Sequence, residues 1–152
     1  MLLIPLFLCL GFMLAVLYMD LVFDISALPY RKTGTNLPKD VLDAIVIYYR
    51  YITKDPWLLI FVIFTAATCI GAQIAFHQVS RRVGSVSGCL IVLVMLVGVL
   101  KVIPTAQRLA TGKDSEERQT RMVHGLFPFH IFLLTAVLLL TALQFSTTDL
   151  WR

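Results

Sequence analysis

LLIPLFLCLGFMLAVLYMDLVF, residues 2–23, is the stretch that decides the fold. It carries no charge before Asp20, and it is as long as the roughly 20 helical residues that cross a hydrocarbon layer of ~30 Å. Inside lipid its backbone N–H and C=O groups have no water to bond, so they pair within the segment, which makes it a helix. A barrel strand would be shorter and alternate in polarity, and the chain has no such alternation. The run lacks a basic leader and exceeds the ~7–15 apolar residues of a secretory signal core. A retained span is therefore expected, although Ala27 is a conceivable cleavage position.

Blocks of the same kind recur at about 57–76, 85–106 and 124–145. The expected architecture is an all-α polytopic membrane protein, a four-transmembrane-helix bundle forming a single domain over residues 1–152. Composition agrees: 59% of the residues are hydrophobic and only 14% charged, against ~25% charged in ordinary soluble domains. The low charge also excludes intrinsic disorder, and eight glycines with six prolines exclude a collagen-like chain. No internal repeat is evident.

Lysine and arginine positions set the expected orientation. Arg31, Lys32, Lys39, Arg50 and Lys54 fall between the first two spans, and Lys101, Arg108, Lys113, Arg118 and Arg121 between or beside the last two. Only Arg81, Arg82 and Arg152 remain for the other side. Both larger connections are thus expected to be cytoplasmic (or matrix or stromal), with both termini on the non-cytoplasmic side. The net charge of +4 is a topology signal. Nucleic acid is not an expected partner, because basic residues alternate with acids and form no stripe.

Between the first two spans, residues 37–54 read as a short amphipathic helix. Val41, Leu42, Ile45, Val46, Tyr48, Tyr49 and Ile52 recur at helical spacing, opposite Lys39, Asp40, Asp43, Arg50 and Lys54. Pro38 suits its first turn, and Asp55-Pro56 marks its stop before Trp57 at headgroup depth. The helix is expected either in the interface plane or packed across the ends of the bundle. Further on, Gly112 is expected to end one helix. Asp114 with Glu117 approximates a capping box for the next, and Glu117–Arg121 is a favourable i,i+4 pair. Gly84 and Gly88 let a neighbouring backbone approach closely, either within the bundle or in a homo-oligomer.

Polar residues gather toward the cytoplasmic ends of the spans. Asp20 lies about one turn inside the first span, with Asp24 one turn later on the same face and Tyr18 slightly deeper. Lys101 lies near the end of the third span, Arg108 on its extension, and His124 and His130 flank the start of the fourth. A carboxylate in lipid costs several kcal/mol unless paired or protonated. Asp20 is therefore expected to face the bundle and meet Lys101 or Arg108. Pro104 and Pro128 free the carbonyls of Leu100 and His124 at the same level. Together these features suggest a polar vestibule lined by Tyr18, Asp20, Asp24, Lys101, Arg108, His124 and His130, serving either as a small-molecule or proton site or as an ion-pair lock.

Other chemistry finds little support. His77 lies at the far end of the second span, roughly 25 Å from His130 by helix rise, so the two share no haem. The chain has no HExxH, CxxCH, P-loop, nucleophile elbow or dinucleotide fingerprint. Cys9, Cys69 and Cys89 form no CxxC and read as apolar packing residues. Thr65, Thr68, Gln73, Thr141 and Gln144 read as interhelical hydrogen-bonding groups. No cofactor and no metal is called for.

The segment Ile103-Pro104-Thr105-Ala106-Gln107-Arg108-Leu109, followed by a helix bearing Arg118 and Arg121, resembles in layout the small four-helix integral membrane proteins of the anthrone-oxygenase-like and uncharacterised families. In the anthrone-oxygenase-like group an asparagine follows that proline closely and a tryptophan lies in the next helix. Here Thr105 and Ala106 stand after the proline, and the next helix has no tryptophan. The resemblance implies a four-helix membrane fold and transfers no catalytic residue. Three function classes stay open. The first, which is the expected one with the other two as alternatives, is a non-catalytic accessory or complex-associated protein with a membrane-protein partner, favoured by short loops and the lack of a soluble domain. The second is a small enzyme acting on a lipophilic substrate through the Asp20/Arg108/His130 region. The third is an oligomeric proton or small-ion transporter, since four spans are few for a secondary transporter.

Overall fold

A computed structural model describes residues 2–33 and 35–147. Arg152, counted in the charge asymmetry, lies outside the described residues, as does the side chain of Lys32. Among the described residues the elements are helices and turns: α1 (Leu3–Thr33), α2 (Lys39–Ile52), α3 (Pro56–Ala75), α4 (Arg81–Val97), a π turn (Gly98–Val102), α5 (Ile103–Ala110) and α6 (Glu116–Phe145). Four rods are long and apolar enough to cross a membrane: Leu3–Arg31, Pro56–Ala75, Arg81–Ala110 and Glu116–Phe145.

The rods pack in a ring, α1 against α3, α3 against α4, α4 against α6, and α6 back against α1. Each buries a stripe and leaves the rest apolar and open, as Leu8, Phe61, Leu100 and Leu138 illustrate. In water such a surface would be untenable; facing acyl chains it is the expected exterior. Because lipid is as apolar as the core, the ring is held by close packing and interhelical hydrogen bonds rather than by burial. Leu6, Leu10, Ile70, Val137 and Leu140 fill the core nearest the termini.

Small residues set the α3–α4 spacing. A Cβ on Gly84 would lie 3.1 Å from Ile74 Cγ1, and one on Gly88 3.4 Å from Ile74 Cδ1, so both glycines face α3 within the chain. Gln144 of α6 donates to Ser87 Oγ of α4 at 3.1 Å, one of the expected interhelical bonds. Thr68 and Thr141 behave otherwise. Their hydroxyls donate to Phe64 O and Val137 O, one turn back in their own helices, where an acceptor is always in reach. Of the cysteines only Cys69 is buried, and Cys89 is exposed.

At the end carrying the longer connections, α2 lies across the bundle. Its buried face, Leu42, Ile45, Val46 and Tyr49, packs on Ala106, Leu109 and Ala110 of α5 and on Val123 and Leu126 of α6. Of the two placements open from sequence, the structure has the packed one. Pro38 precedes the first turn instead of joining it, with extended backbone (φ −55°, ψ 145°), and Leu37 N–H is tied to Thr120 Oγ1 at 3.2 Å. Gly112 ends α5 with φ +62°. The expected capping box is absent: Ser115, one residue later than Asp114, occupies the N-cap without a side-chain bond, and Asp114 pairs with Arg108 and Arg118 instead. Glu117–Arg121 does pair, at 3.7 Å.

Candidate functional site

The site is built from three helices. α1 continues past the apolar run to Thr33, through Pro29, and so presents Asp20 and Asp24 on one face, a turn apart. α6 passes beside it and aims His130 at both. α2, crossing above, lowers Tyr48 onto the same point, with the Tyr49 ring edge-on beside it.

His130 is fully buried, as is Asp24 at 2% exposure, while Asp20 keeps 5%. The imidazole Nδ1–H donates to Asp24 Oδ2 at 2.6 Å. That bond fixes the tautomer and leaves Nε2 as the available nitrogen. Nε2 has no hydrogen bond, and it lies 3.8 Å from Asp20 Oδ2. Asp20 Oδ1 accepts from the Tyr48 hydroxyl at 2.9 Å. The Tyr48 ring stacks on Phe23 of α1 (centroids 4.1 Å apart), which holds the hydroxyl in place. Burial pushes the Tyr48 phenol well above its usual range, and the neighbouring Asp20 pushes it further, so it remains a donor. Asp24 Oδ1 and the Tyr49 hydroxyl are buried without partners.

Counting protons shows what this arrangement can do. An imidazolium between two carboxylates holds the same number of protons as a neutral imidazole beside a protonated Asp20. If the 3.8 Å between Nε2 and Asp20 Oδ2 shortens to hydrogen-bond length, one proton can pass between them with no change in the cluster's net charge, in a place where a change of charge is costly. Asp24 orients the ring, and Tyr48 steadies the carboxylate.

Asp20 also borders an apolar cavity of about 70 Å³, walled by Leu17 of α1, Leu59 and Ile63 of α3, Gly98 of the π turn and Leu133 of α6. The hollow owes its existence to the third span. Pro104 cannot donate to the carbonyl of Leu100, and the chain answers with a π turn in which Ile103 N–H reaches Gly98 O. Thr105 supplements the turn by donating to Lys101 O at 2.7 Å. Gly98 brings no side chain to the space. The proline was legible as a break, but the π turn and its cavity were not.

The seven residues read from sequence as one vestibule are divided by the structure. Asp20, Asp24 and His130 meet. His124 lies one layer out, its Nε2–H donating to Ala27 O at 3.3 Å. Arg108 is turned outward and held by Asp114, Nε to Oδ2 at 2.9 Å and Nη2 to Oδ1 at 3.1 Å, with Arg118 beside them at 3.5 Å. Hydrogen bonding from Arg108 keeps the Asp114 carboxyl below the usual carboxylate range. Lys101 is exposed, and Tyr18 is 64% exposed on the outer face of α1. The expected cationic partner for Asp20 is thus replaced by His130 and Tyr48. Long basic side chains reach more polar surroundings, whereas a histidine tolerates full burial. Tyr48 and Tyr49 were visible in sequence only as part of an amphipathic face; an aromatic pair with hydroxyls on the buried side of that helix was the available signal.

Among the described residues, no group of three or more His, Cys, Asp or Glu side chains is arranged to hold a metal ion. Among the described residues, the buried polar side chains of α6 also stop short of crossing the bundle. From His130 to Gln144 is about 21 Å of helix rise, and the buried positions between them on α6 are Leu133, Ala136, Val137 and Leu140. Compared with protein-family models, with curated proteins and with solved structures, the chain matches none.

Proposed function

We propose that this integral membrane protein is a small enzyme that carries out acid–base chemistry on a lipophilic molecule, with Asp20 and His130 exchanging the proton and Asp24 orienting the ring. The observation that carries this reading is the fully buried imidazole between two carboxylates, its Nε2 without a hydrogen bond, next to an apolar cavity that Asp20 borders. Histidine and a buried carboxylate are the groups general acid–base catalysis draws on near neutral pH. An accessory protein would be served by the same bundle with an apolar core, which in lipid packs as well and avoids the cost of buried ionisable groups. A transporter needs a polar route, and the apolar layer from Leu133 to Leu140 supplies none within one chain. The basic connections face the cytoplasm, matrix or stroma, with both termini opposite.

The test compares membranes from cells producing the native chain, His130→Gln and Asp24→Asn. Lipid extracts are profiled by mass spectrometry, and folding is checked by thermal melting. At least one lipophilic species is expected to change in amount with the native chain and not with the variants. Identical profiles from folded proteins would overturn the enzyme reading. A stoichiometric protein partner in native mass spectrometry would then favour the accessory role.

A further inference from the structure

The cavity beside Asp20 has a chemistry of its own. Its wall is aliphatic, contributed by all four membrane-spanning rods, and among the described residues Asp20 is the one ionisable group lining it. Asp20 is nineteen-twentieths buried, with 5% exposure. Its Oδ1 is committed to Tyr48 at 2.9 Å, but its Oδ2 stands 3.8 Å from His130 Nε2, beyond hydrogen-bond length. A carboxylate on a largely buried side chain that borders an apolar hollow is suited to a molecule with an apolar body and a single donor. The space exceeds the ~10–15 Å³ that holds one water, yet an aliphatic wall gives a water too few partners.

We propose that this cavity binds the hydroxyl end of a lipophilic alcohol or phenol, the hydroxyl donating to the Asp20 carboxylate and the apolar body lying between α1, α3 and the π turn at Gly98. The inference rests on the acid–base reading of the same site and names the class of molecule it serves. The acceptor for the new bond is in place: Asp20 Oδ2 stands 3.8 Å from His130 Nε2, while Oδ1 holds the Tyr48 hydroxyl. An anionic amphiphile fits less well, because it would oppose two carboxylates.

The probe is a long-chain alkanol bearing a mid-chain diazirine, with the hydrocarbon of equal length as control. Both are photolysed against the full chain in phosphatidylcholine nanodiscs, and the crosslinks are mapped by mass spectrometry. Labelling around Leu59 and Gly98 is expected to be about tenfold stronger with the alkanol, as one buried hydrogen bond to a charged group allows. Asp20→Leu is expected to reduce it to the hydrocarbon level. Leu59→Trp, at a partly exposed wall position and checked for folding by thermal melting, is expected to abolish it, whereas Leu93→Trp on the outer face leaves it unchanged. Equal labelling by the two probes, or labelling indifferent to Leu59→Trp, overturns the proposal. His130→Gln keeps the cavity and Asp20, so it retains labelling if the binding site is real. Retained labelling together with unchanged lipid profiles would sink the acid–base reading alone.

Discussion

Replacing His130 by leucine asks how strongly the buried pair ties α1 to α6. The change is close to volume-neutral, so packing contributes little. What it removes is the 2.6 Å bond to Asp24 Oδ2, and Asp24 Oδ1 already lacks a partner. The carboxylate would then be wholly unpartnered at 2% exposure. A hydrogen bond to a charged group contributes about 1.5–3 kcal/mol, and stripping one member from a buried pair costs about 3–5 kcal/mol. The larger range is expected, because the remaining carboxyl group is left buried with neither oxygen bonded. Asp24→Asn in the same background should restore much of the loss, giving a coupling of about 2–3 kcal/mol in a double-mutant cycle. A neutral hydrogen bond between membrane helices averages only about 0.6 kcal/mol, so the size of the coupling reports whether the pair is ionic. The assay is reversible unfolding in mixed micelles titrated with dodecyl sulfate, for all four members of the cycle. A cost below about 1 kcal/mol for His130→Leu, or no coupling, would refute the view that this pair fastens the site.

Tyr48 and Tyr49 should respond to loss of their hydroxyls with opposite signs: Tyr48→Phe destabilises by about 1 kcal/mol by releasing Asp20, while Tyr49→Phe stabilises by about 1 kcal/mol by deleting a buried hydroxyl without a partner. Both phenols are pushed up, first by burial, so the folded state holds their protons more tightly than the unfolded one. Their contribution is complete below the ordinary tyrosine value of about 10 and is lost as pH rises beyond it, which an alkaline titration of unfolding with tyrosinate absorbance measures. Asp114 runs the other way. Arg108 holds its carboxyl low, so its contribution is complete above the ordinary aspartate range and is lost as pH falls through its lower folded value. Arg108→Gln should flatten that acid limb, and added salt should weaken it. Gly84→Leu should cost about 1–3 kcal/mol by forcing α4 off Ile74 of α3, read as a lowered melting temperature.

The amino-acid sequence by itself determined that this chain crosses a membrane on helices, because apolar length is compared against one fixed quantity, the thickness of the hydrocarbon layer. It also placed Asp20 and Asp24 on a common face, since four residues is close to one helical turn. Which side chain meets that face was beyond it. Depth along the span made Lys101 and Arg108 the candidates and passed over His130, because contact also depends on the rotation of each rod about its axis. That rotation is set by how Gly84, Ser87, Ile74 and their neighbours fit together across helices. The tertiary structure turned Arg108 outward to Asp114 and His130 inward to Asp24. It also laid α2 over the end so that Tyr48 reaches Asp20. The cavity arose in the same way: a proline forbids one hydrogen bond locally, but only packing decides that the chain widens into a π turn and leaves the space beside a carboxylate.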